Sequence, residues 1–212
     1  GDEEGKGELA GQVLEHGLES VKNILRVYGP DGTGKEGISY WRYTTAYLSY
    51  YFAALESAVG TDYGRFNVPG MQNTGYFHLA FTGPVGPFAF NDSPNRYTNS
   101  PEVFWLALKT GDMNLAMGRL FQMKNYSEAI PKARDFIWYD SDWCAVGDLL
   151  VLDRHFRGAI EAVSFKSSYE DPEALYLAMK TGRNDAPHSH IDSGVFEFQA
   201  LGEQWVSSPK SH

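Results

Sequence analysis

The chain has very little cysteine: Cys144 is the only one in 212 residues. A single cysteine excludes an internal disulfide and any zinc site built from several thiolates. Long apolar runs are also missing, and no stretch has the roughly 20 apolar residues that a membrane-spanning helix needs. The sequence therefore predicts neither a disulfide scaffold nor contact with a membrane.

Basic residues are in deficit, with 18 Lys and Arg against 27 Asp and Glu and a net charge of −9. Nucleic-acid binding depends on a basic stripe, so nucleic acid is excluded as an expected partner. The same balance disfavours a polyanionic sugar, unless positive charge gathers locally. Five basic residues do cluster in sequence toward the C-terminal part of the chain: Arg154, Arg157, Lys166, Lys180 and Arg183.

Hydrophobic periodicity divides the chain into a helical part and a strand-rich part. Helices are expected at 8–28, 39–59 (with Ser39 as N-cap), 75–81, 101–109, 113–123 and 127–135. Alternating patterns then predict strands at 156–168, 174–180 and 195–206. The expected fold class is α+β, with a helical segment at 1–147 followed by an antiparallel sheet segment at 148–212.

Tyrosines recur at helical spacing on the second predicted helix, at positions 40, 43, 47, 50 and 51. A tyrosine stripe can fill a core or pack helices together, and it can also stack on sugar rings. For Tyr47, Tyr50 and Tyr51, packing is the favoured interpretation.

Two histidines and a carboxylate stand at alternate positions in His188, His190 and Asp192. In an extended backbone alternate side chains share one face, so these three are expected to point the same way. Imidazole suits both proton transfer near neutral pH and zinc binding. The competing interpretation is a surface loop that holds two histidines by chance.

Several blocks of the chain resemble the heparinase II/III-like polysaccharide lyases. The N-terminal blocks are Asp31-Gly32, Glu36-Gly37, Tyr40-Trp41-Arg42-Tyr43 and Thr74-Gly75-Tyr76-Phe77. The C-terminal blocks are 153–158, 165–168 and the histidine segment from Asn184. They occur in the family's order, and the chain looks like the middle of such an enzyme, with the last part of an α/α toroid and the start of a β-sandwich.

The resemblance implies a bacterial enzyme, periplasmic or secreted, that cleaves uronic-acid-containing polysaccharide by β-elimination. It implies catalytic roles for Tyr40 and His188, with Tyr43 as the second candidate tyrosine. The expected partner is an anionic polysaccharide of glycosaminoglycan or alginate type, held by Trp41, Arg42, Tyr43, Arg183 and Asn184. Which polymer is cut, and whether the chain forms a homo-oligomer, stays open at this point.

The family resemblance also bears on a metal. His190 matches a histidine that helps to hold a structural zinc in several members, and Asp192 could contribute. Ser207 and Ser208 stand where the family's acidic ligand is expected, and a neutral hydroxyl is a poor zinc ligand. Zinc is therefore a doubtful cofactor, and none is expected to be required.

The resemblance leaves two rival functions open. The family's Asn or His that neutralises the uronate carboxylate would lie upstream of residue 1, so little or no turnover by the isolated chain is expected. The chain would then be a non-catalytic carbohydrate-binding remnant or a fragment of such a lyase. The other rival is a different metal enzyme centred on His188, His190 and Asp192.

Overall fold

The computed structural model describes residues 2–143, 151–185, 188 and 190–207. Its helices are α1 (Asp2–Leu25), a 3-10 turn (Arg26–Tyr28), α2 (Ile38–Val59), α3 (Thr74–Ala80), α4 (Glu102–Thr110), α5 (Met113–Asn125) and α6 (Ala133–Trp138). Its strands are β1 (Arg154–Phe156), β2 (Ile160–Lys166), β3 (Tyr176–Gly182), β4 (Phe196–Ala200) and β5 (Glu203–Val206). The α+β class is confirmed. The predicted boundary between residues 147 and 148 lies outside the described residues.

The start of α2 differs from the prediction that Ser39 is its N-cap. The helix begins at Ile38, and the cap position belongs to Gly37, whose φ is 96°. A Cβ on this glycine would come within 2.4 Å of the Ser93 Cβ, so only glycine fits there. The Ser39 hydroxyl instead lies 3.1 Å from the Ser93 hydroxyl, which ties the start of α2 to the loop before α4.

The last helix was expected at 127–135 and is found at Ala133–Trp138, so that prediction is wrong by about one and a half turns. Pro131 and the extended Lys132 precede the helix rather than sitting in its first turn. The Asp135 carboxylate accepts a hydrogen bond from the Lys132 backbone N–H at 2.8 Å, which satisfies a donor at the helix start.

The five strands form one antiparallel sheet in the order β1-β2-β3-β4-β5. Each strand pairs with its neighbour in sequence, so the sheet is a meander. The predicted strand at 195–206 is in fact a hairpin, because Leu201 and Gly202 both take positive φ and turn the chain between β4 and β5. Two consecutive left-handed residues give the tight turn that matches the twist of paired strands.

A single apolar cluster joins the helices to the sheet. Phe77 and Phe81 of the α3 region contact Phe156 of β1, with ring centroids 5.5 and 5.8 Å apart. Ala162 and Tyr176 extend the cluster along β2 and β3. The sheet is therefore held against the helical part, which fixes the loop after β3 relative to the start of α2. Among the described residues, no helix has the length and apolar composition to cross a membrane.

Candidate functional site

The site is organised around a ring contact between the two predicted catalytic residues. Tyr40, in the first turn of α2, stacks on His188, from the loop after β3. The ring centroids are 4.6 Å apart and the planes differ by 22°. The loop after β3 therefore meets the start of α2.

Asp92 joins the two histidines. Its Oδ2 lies 2.9 Å from His188 Nδ1, and its Oδ1 lies 2.8 Å from His190 Nε2. The hydrogen bond from His188, followed by that from His190, lowers the pKa of the Asp92 carboxyl below its usual range. A carboxylate in this position orients both rings.

Asn91 connects the loop before α4 to the histidine loop. Its Oδ1 accepts from Lys180 Nζ at 3.1 Å and from the His190 N–H at 3.3 Å. Its own backbone N–H donates to Asp192 Oδ2 at 3.1 Å. Asn91 and His188 both have left-handed φ, 52° and 57°. Two such residues in one site mark backbone strain of the kind that collects at functional sites.

Asp192 does not join the histidines. It forms an ion pair with Lys180, whose side chain is fully buried, while the Asp192 side chain is only 14% exposed. Desolvated ions need such a partner, so Asp192 is held by the buried ammonium. The expectation that all three side chains share one face is therefore wrong for Asp192, although both histidines do converge on one carboxylate.

A cavity of about 90 Å³ lies beside Tyr40. Its walls include Thr33, Lys35 and Trp41. The Thr33 Oγ1 is buried and has no hydrogen-bond partner among the described residues. An unpaired buried hydroxyl costs free energy unless something occupies the space next to it. The cavity could accept a group the size of about three waters, at roughly 30 Å³ each.

Two of the residues expected to hold substrate make contacts inside the protein instead. Trp41 is only 2% exposed, and its indole N–H donates to Thr74 Oγ1 at 2.7 Å. Arg42 points to Glu102, with Nε 3.8 Å from Oε2. Trp41 therefore serves the core and the cavity wall, and Arg42 does not supply charge to Tyr40, because positions two apart on a helix face nearly opposite ways.

The tyrosine stripe is more open than expected. Tyr43 and Tyr47 are 59% and 60% exposed, with ring centroids 5.0 Å apart. The interpretation of Tyr47 as core is therefore wrong, whereas Tyr51 is partly buried against the apolar cluster. Tyr50 is 39% exposed and stacks on Trp138.

Arg183 and Asn184 are exposed on the loop that leads to the histidines. The Arg183 guanidinium is bonded to the neighbouring Asp185, with Nε 2.9 Å from Oδ1. This local pair restrains the arginine in the present conformation. The predicted substrate-binding role of both residues stays a prediction.

The predicted zinc ligands do not fit a zinc ion in this arrangement. The His190 Nε2 faces Asp92, and Asp192 is held by Lys180. Within the part of the chain that the structure describes, no group of three or more potential ligands is close enough to hold a metal. Ser208, which stands where an acidic zinc ligand was expected, lies outside the described residues.

Sequence reasoning did not find Asn91, Asp92 or Lys35. The first two lie in a stretch rich in Gly, Pro and Asn, which gives a loop signal and no periodicity. An adjacent Asn-Asp pair was the available signal, but partners about 100 residues apart cannot be paired by spacing alone. No model of a known protein family matches the chain, and a search of curated proteins gives no match either.

Proposed function

We propose that this chain carries the active-site face of a polysaccharide lyase, which cleaves uronic-acid-containing polysaccharide by β-elimination. The observation that supports the proposal most is the stack of Tyr40 on His188, two residues 148 positions apart that belong to the helical and sheet parts. A site shared between two such parts offers a cleft for an extended polymer.

The reaction breaks the C4–O bond of the uronate. A base removes the C5 proton, the electron pair of that C–H bond forms the C4–C5 double bond, and the leaving oxygen takes up a proton. Tyr40 is proposed as the base and then as the acid, with His188 as its partner base or positioning residue. General acid–base groups of this kind typically contribute about 10²- to 10⁴-fold in rate.

The C5 proton is removable only when the negative charge of the adjacent carboxylate is offset. Lys35 is the cation that lines the cavity next to Tyr40, and its Nζ lies 3.9 Å from the Glu36 carboxylate. Arg42 lies toward Glu102 and does not line this cavity, so it is not assigned this task. Lys35 is therefore proposed to neutralise the uronate carboxylate.

Asp92 is proposed as a positioning residue. It bonds to both imidazoles and so fixes the ring plane that His188 presents to Tyr40. The finer features expected from the resemblance belong to the same proposal. These are an α/α toroid joined to a β-sandwich, a periplasmic or secreted location, an anionic polysaccharide partner and no required cofactor.

The test is release of unsaturated product from the full chain. Heparin, heparan sulfate, hyaluronan, chondroitin and alginate are incubated at high protein concentration, and the absorbance of the new double bond is followed. We expect slow cleavage of at least one polymer. Tyr40→Phe should remove it, because the variant keeps the ring but has no proton to exchange.

Tyr47→Phe is the matched control, since it removes a hydroxyl from the exposed part of the same helix and should leave the rate unchanged. Lys35→Met should lower turnover by about 10²- to 10³-fold, the usual loss on removing one preorganised group. Cleavage that survives Tyr40→Phe overturns the assignment of the base. Binding of polymer without any product overturns the catalytic proposal as a whole.

A non-catalytic carbohydrate-binding function is the second candidate, and the exposed pair Tyr43 and Tyr47 favours it. Exposed aromatic rings with a polar edge suit contact with sugar rings. This candidate predicts that the double variant Tyr43→Ala/Tyr47→Ala loses affinity for the polymer while Tyr40→Phe retains it. Affinity electrophoresis of the three proteins distinguishes the two functions.

A further inference from the structure

A second and larger cavity lies where the end of α1 meets the loop after α2. Its volume is about 400 Å³, and it shares no lining residue with the cavity beside Tyr40. This size falls within the range of about 300 to 1,000 Å³ that is usual for small-molecule sites. The lining residues on which the argument rests are Lys22, Leu25, Arg26, Arg65, Val68 and Pro69.

The cavity concentrates positive charge in a chain of net charge −9. Three of its lining residues are basic, and two of them meet at one carboxylate oxygen. Lys22 Nζ lies 2.5 Å, and Arg65 Nη2 3.5 Å, from Glu19 Oε1. The two nitrogens are therefore no more than 6.0 Å apart, which is the total of those distances. A single carboxylate can contact both.

Arg65 has donor capacity to spare. Its Nε is buried and has no hydrogen-bond partner within the described part of the chain. A guanidinium presents its N–H groups as a rigid fork that matches a carboxylate with two parallel hydrogen bonds. Glu19 uses only one side of that fork, and its side chain is 61% exposed, so it can move out toward solvent.

The other walls of the cavity are apolar. Leu25 is buried, and it lines the cavity together with Val68 and Pro69. A pocket with apolar walls and a few convergent charged groups is the usual form of a site for a small organic ligand. The charges select the acidic group of that ligand, and the apolar walls select its body.

We propose that this cavity binds a small carboxylic acid with a compact apolar body, whose carboxylate displaces Glu19 from Lys22 and Arg65. Glu19 shows which anion the two cations accept, because its own carboxylate already contacts both. Arg26 adds a third positive charge at the rim, and the body of the ligand lies against Leu25, Val68 and Pro69. The proposal does not depend on Tyr40 or on lyase activity.

The experiment is a titration of the full chain with benzoate, followed by calorimetry and by amide NMR shifts. Benzyl alcohol, glucuronate and inorganic phosphate are the comparison probes. We expect benzoate to bind and to shift the amides of residues 22–26 and 64–69. Benzyl alcohol lacks the charge and glucuronate lacks the apolar body, so both should bind at least severalfold more weakly. If benzyl alcohol binds as tightly as benzoate, the proposed role of the carboxylate is wrong. If glucuronate binds as tightly, the proposed role of the apolar body is wrong.

Substitutions sharpen the test in both directions. Arg65→Gln should lower benzoate affinity by about tenfold or more, since a charge-assisted hydrogen bond contributes about 1.5–3 kcal/mol and each 1.4 kcal/mol is a factor of ten. Glu19→Gln should raise affinity, because it removes the competing carboxylate. The exposed Arg96→Gln is the matched control and should leave affinity unchanged.

A gain of affinity in Glu19→Gln is the outcome that a merely structural role of these residues does not predict. If Arg65→Gln fails to fold, the exposed Arg26→Gln provides the second measurement and should still weaken binding. Benzoate affinity that is unchanged in Arg26→Gln and in Glu19→Gln overturns the proposal. So does the absence of any benzoate binding to the unsubstituted chain.

Discussion

Asp92 is the residue on which the geometry of the candidate site depends most. It is half exposed, yet it bonds to His188 and His190 at once. An exposed carboxylate with a depressed pKa reports directly on its partners. The two contacts are unequal, and the bond from His188 is the larger cause of the depression.

The pKa of Asp92 should therefore rise in steps when its partners are removed. We expect His188→Ala to raise it more than His190→Ala, and the double variant to bring it near the ordinary value of about 3.9. NMR titration of the carboxyl carbon measures each value. Asp185, whose pKa is lowered by Arg183, is the internal control and should not move. A larger effect of His190→Ala contradicts the geometry.

The buried ion pair of Lys180 and Asp192 supports the same site. Removing one partner of a buried ion pair leaves a buried charge uncompensated, which typically costs about 3–5 kcal/mol. We expect Asp192→Ala to lower the free energy of unfolding by this order, as measured by urea denaturation. Asp185→Ala breaks the exposed pair with Arg183 and should leave stability unchanged. Equal stability of the two variants argues against a buried pair.

The residues of the site show what sequence reasoning can supply at this scale. Tyr40 and His188 were found because both carry recognisable chemistry within quoted blocks. Asp92 was not, because its partners lie 96 and 98 positions away, and spacing carries no information about such pairs. Trp41 was assigned to substrate because composition does not distinguish a buried indole from an exposed one.

At the scale of elements, helices were predicted best where a stop signal and a cap stood together. The break between α4 and α5 was expected at Thr110-Gly111-Asp112, and both helices end and begin there. The start of α2 was misread, because the serine signal at Ser39 was local while the constraint on Gly37 comes from Ser93. A tertiary contact overrides a local preference in such cases.

The cap of α5 makes a testable contribution to stability. Asp112 Oδ1 accepts from the Asn114 N–H at 3.0 Å, and Oδ2 accepts from the Tyr76 hydroxyl at 2.5 Å. Asp112→Ala should cost about 1–3 kcal/mol in urea denaturation, since it removes the cap and leaves the Tyr76 hydroxyl without this acceptor. Asp112→Asn keeps an oxygen for the cap and should cost less than half as much.

The comparison for this prediction is Asp140→Ala. Asp140 accepts from the Asp142 N–H in an exposed turn and starts no helix. A surface change of this kind usually stays within about 0.5 kcal/mol. If Asp112→Ala is as mild as Asp140→Ala, the cap does not determine where α5 begins.

The strands illustrate the limit of pattern reading for elements. The predicted strand at 156–168 contains β2, and the one at 174–180 begins and ends two residues before β3 does. Alternation did not separate β1 from β2. It merged β4 and β5 into one strand, because the turn at Leu201-Gly202 is only two residues long and the strand-like composition continues on both sides of it. Leu201 is a poor turn signal, since a left-handed leucine is rare.

Considered as a whole, the molecule buries several ionisable groups between its helices and its sheet. Burial raises the pKa of Glu102 and of Glu197 to about 7, and burial lowers the pKa of His78 to about 3. Burial also lowers the pKa of Lys166 to about 7, although its ammonium donates to the Thr82 carbonyl. Each of these groups makes stability depend on pH in a separate window.

Glu102 and Glu197 have a pKa of about 4.3 in the unfolded state and about 7 in the folded state. Between these two pH values the folded state keeps the protons that the unfolded state has lost, so stability falls as pH rises. His78 acts in the opposite sense. Between about pH 3 and pH 6.5 its imidazole is charged in the unfolded state and neutral in the folded state, so its contribution to stability increases with pH over this range.

Above pH 8 these three groups bind equal numbers of protons in both states. Lys166 then adds a contribution that rises with pH. Tyr97, Tyr169 and Tyr176, whose pKa burial raises, keep their protons longer in the folded state and add an opposite contribution as pH approaches 10.

Between pH 8 and 9.5 the unfolded Lys166, with a pKa of about 10.4, holds a proton that the folded amine has lost. Unfolding therefore takes up a proton at Lys166, and the contribution of this residue to the free energy of unfolding should rise with pH by up to about 1.4 kcal/mol per pH unit. Lys166→Met removes the group and should flatten this slope. Urea denaturation at four pH values in this window measures the difference between the two proteins.

Lys109→Met is the matched control. Partial burial lowers the pKa of Lys109, but its hydrogen bonds to Glu56 and Asp62 outweigh that effect and raise it above the usual value. Its amine therefore stays protonated in both states up to pH 9.5, and its removal changes stability without changing the slope. Equal slopes in Lys166→Met and in the unsubstituted protein would mean that Lys166 stays charged when folded. The Thr82 carbonyl and the rings of Tyr169 and Tyr176, which lie 4.6 and 4.8 Å from the nitrogen, would then offset its burial.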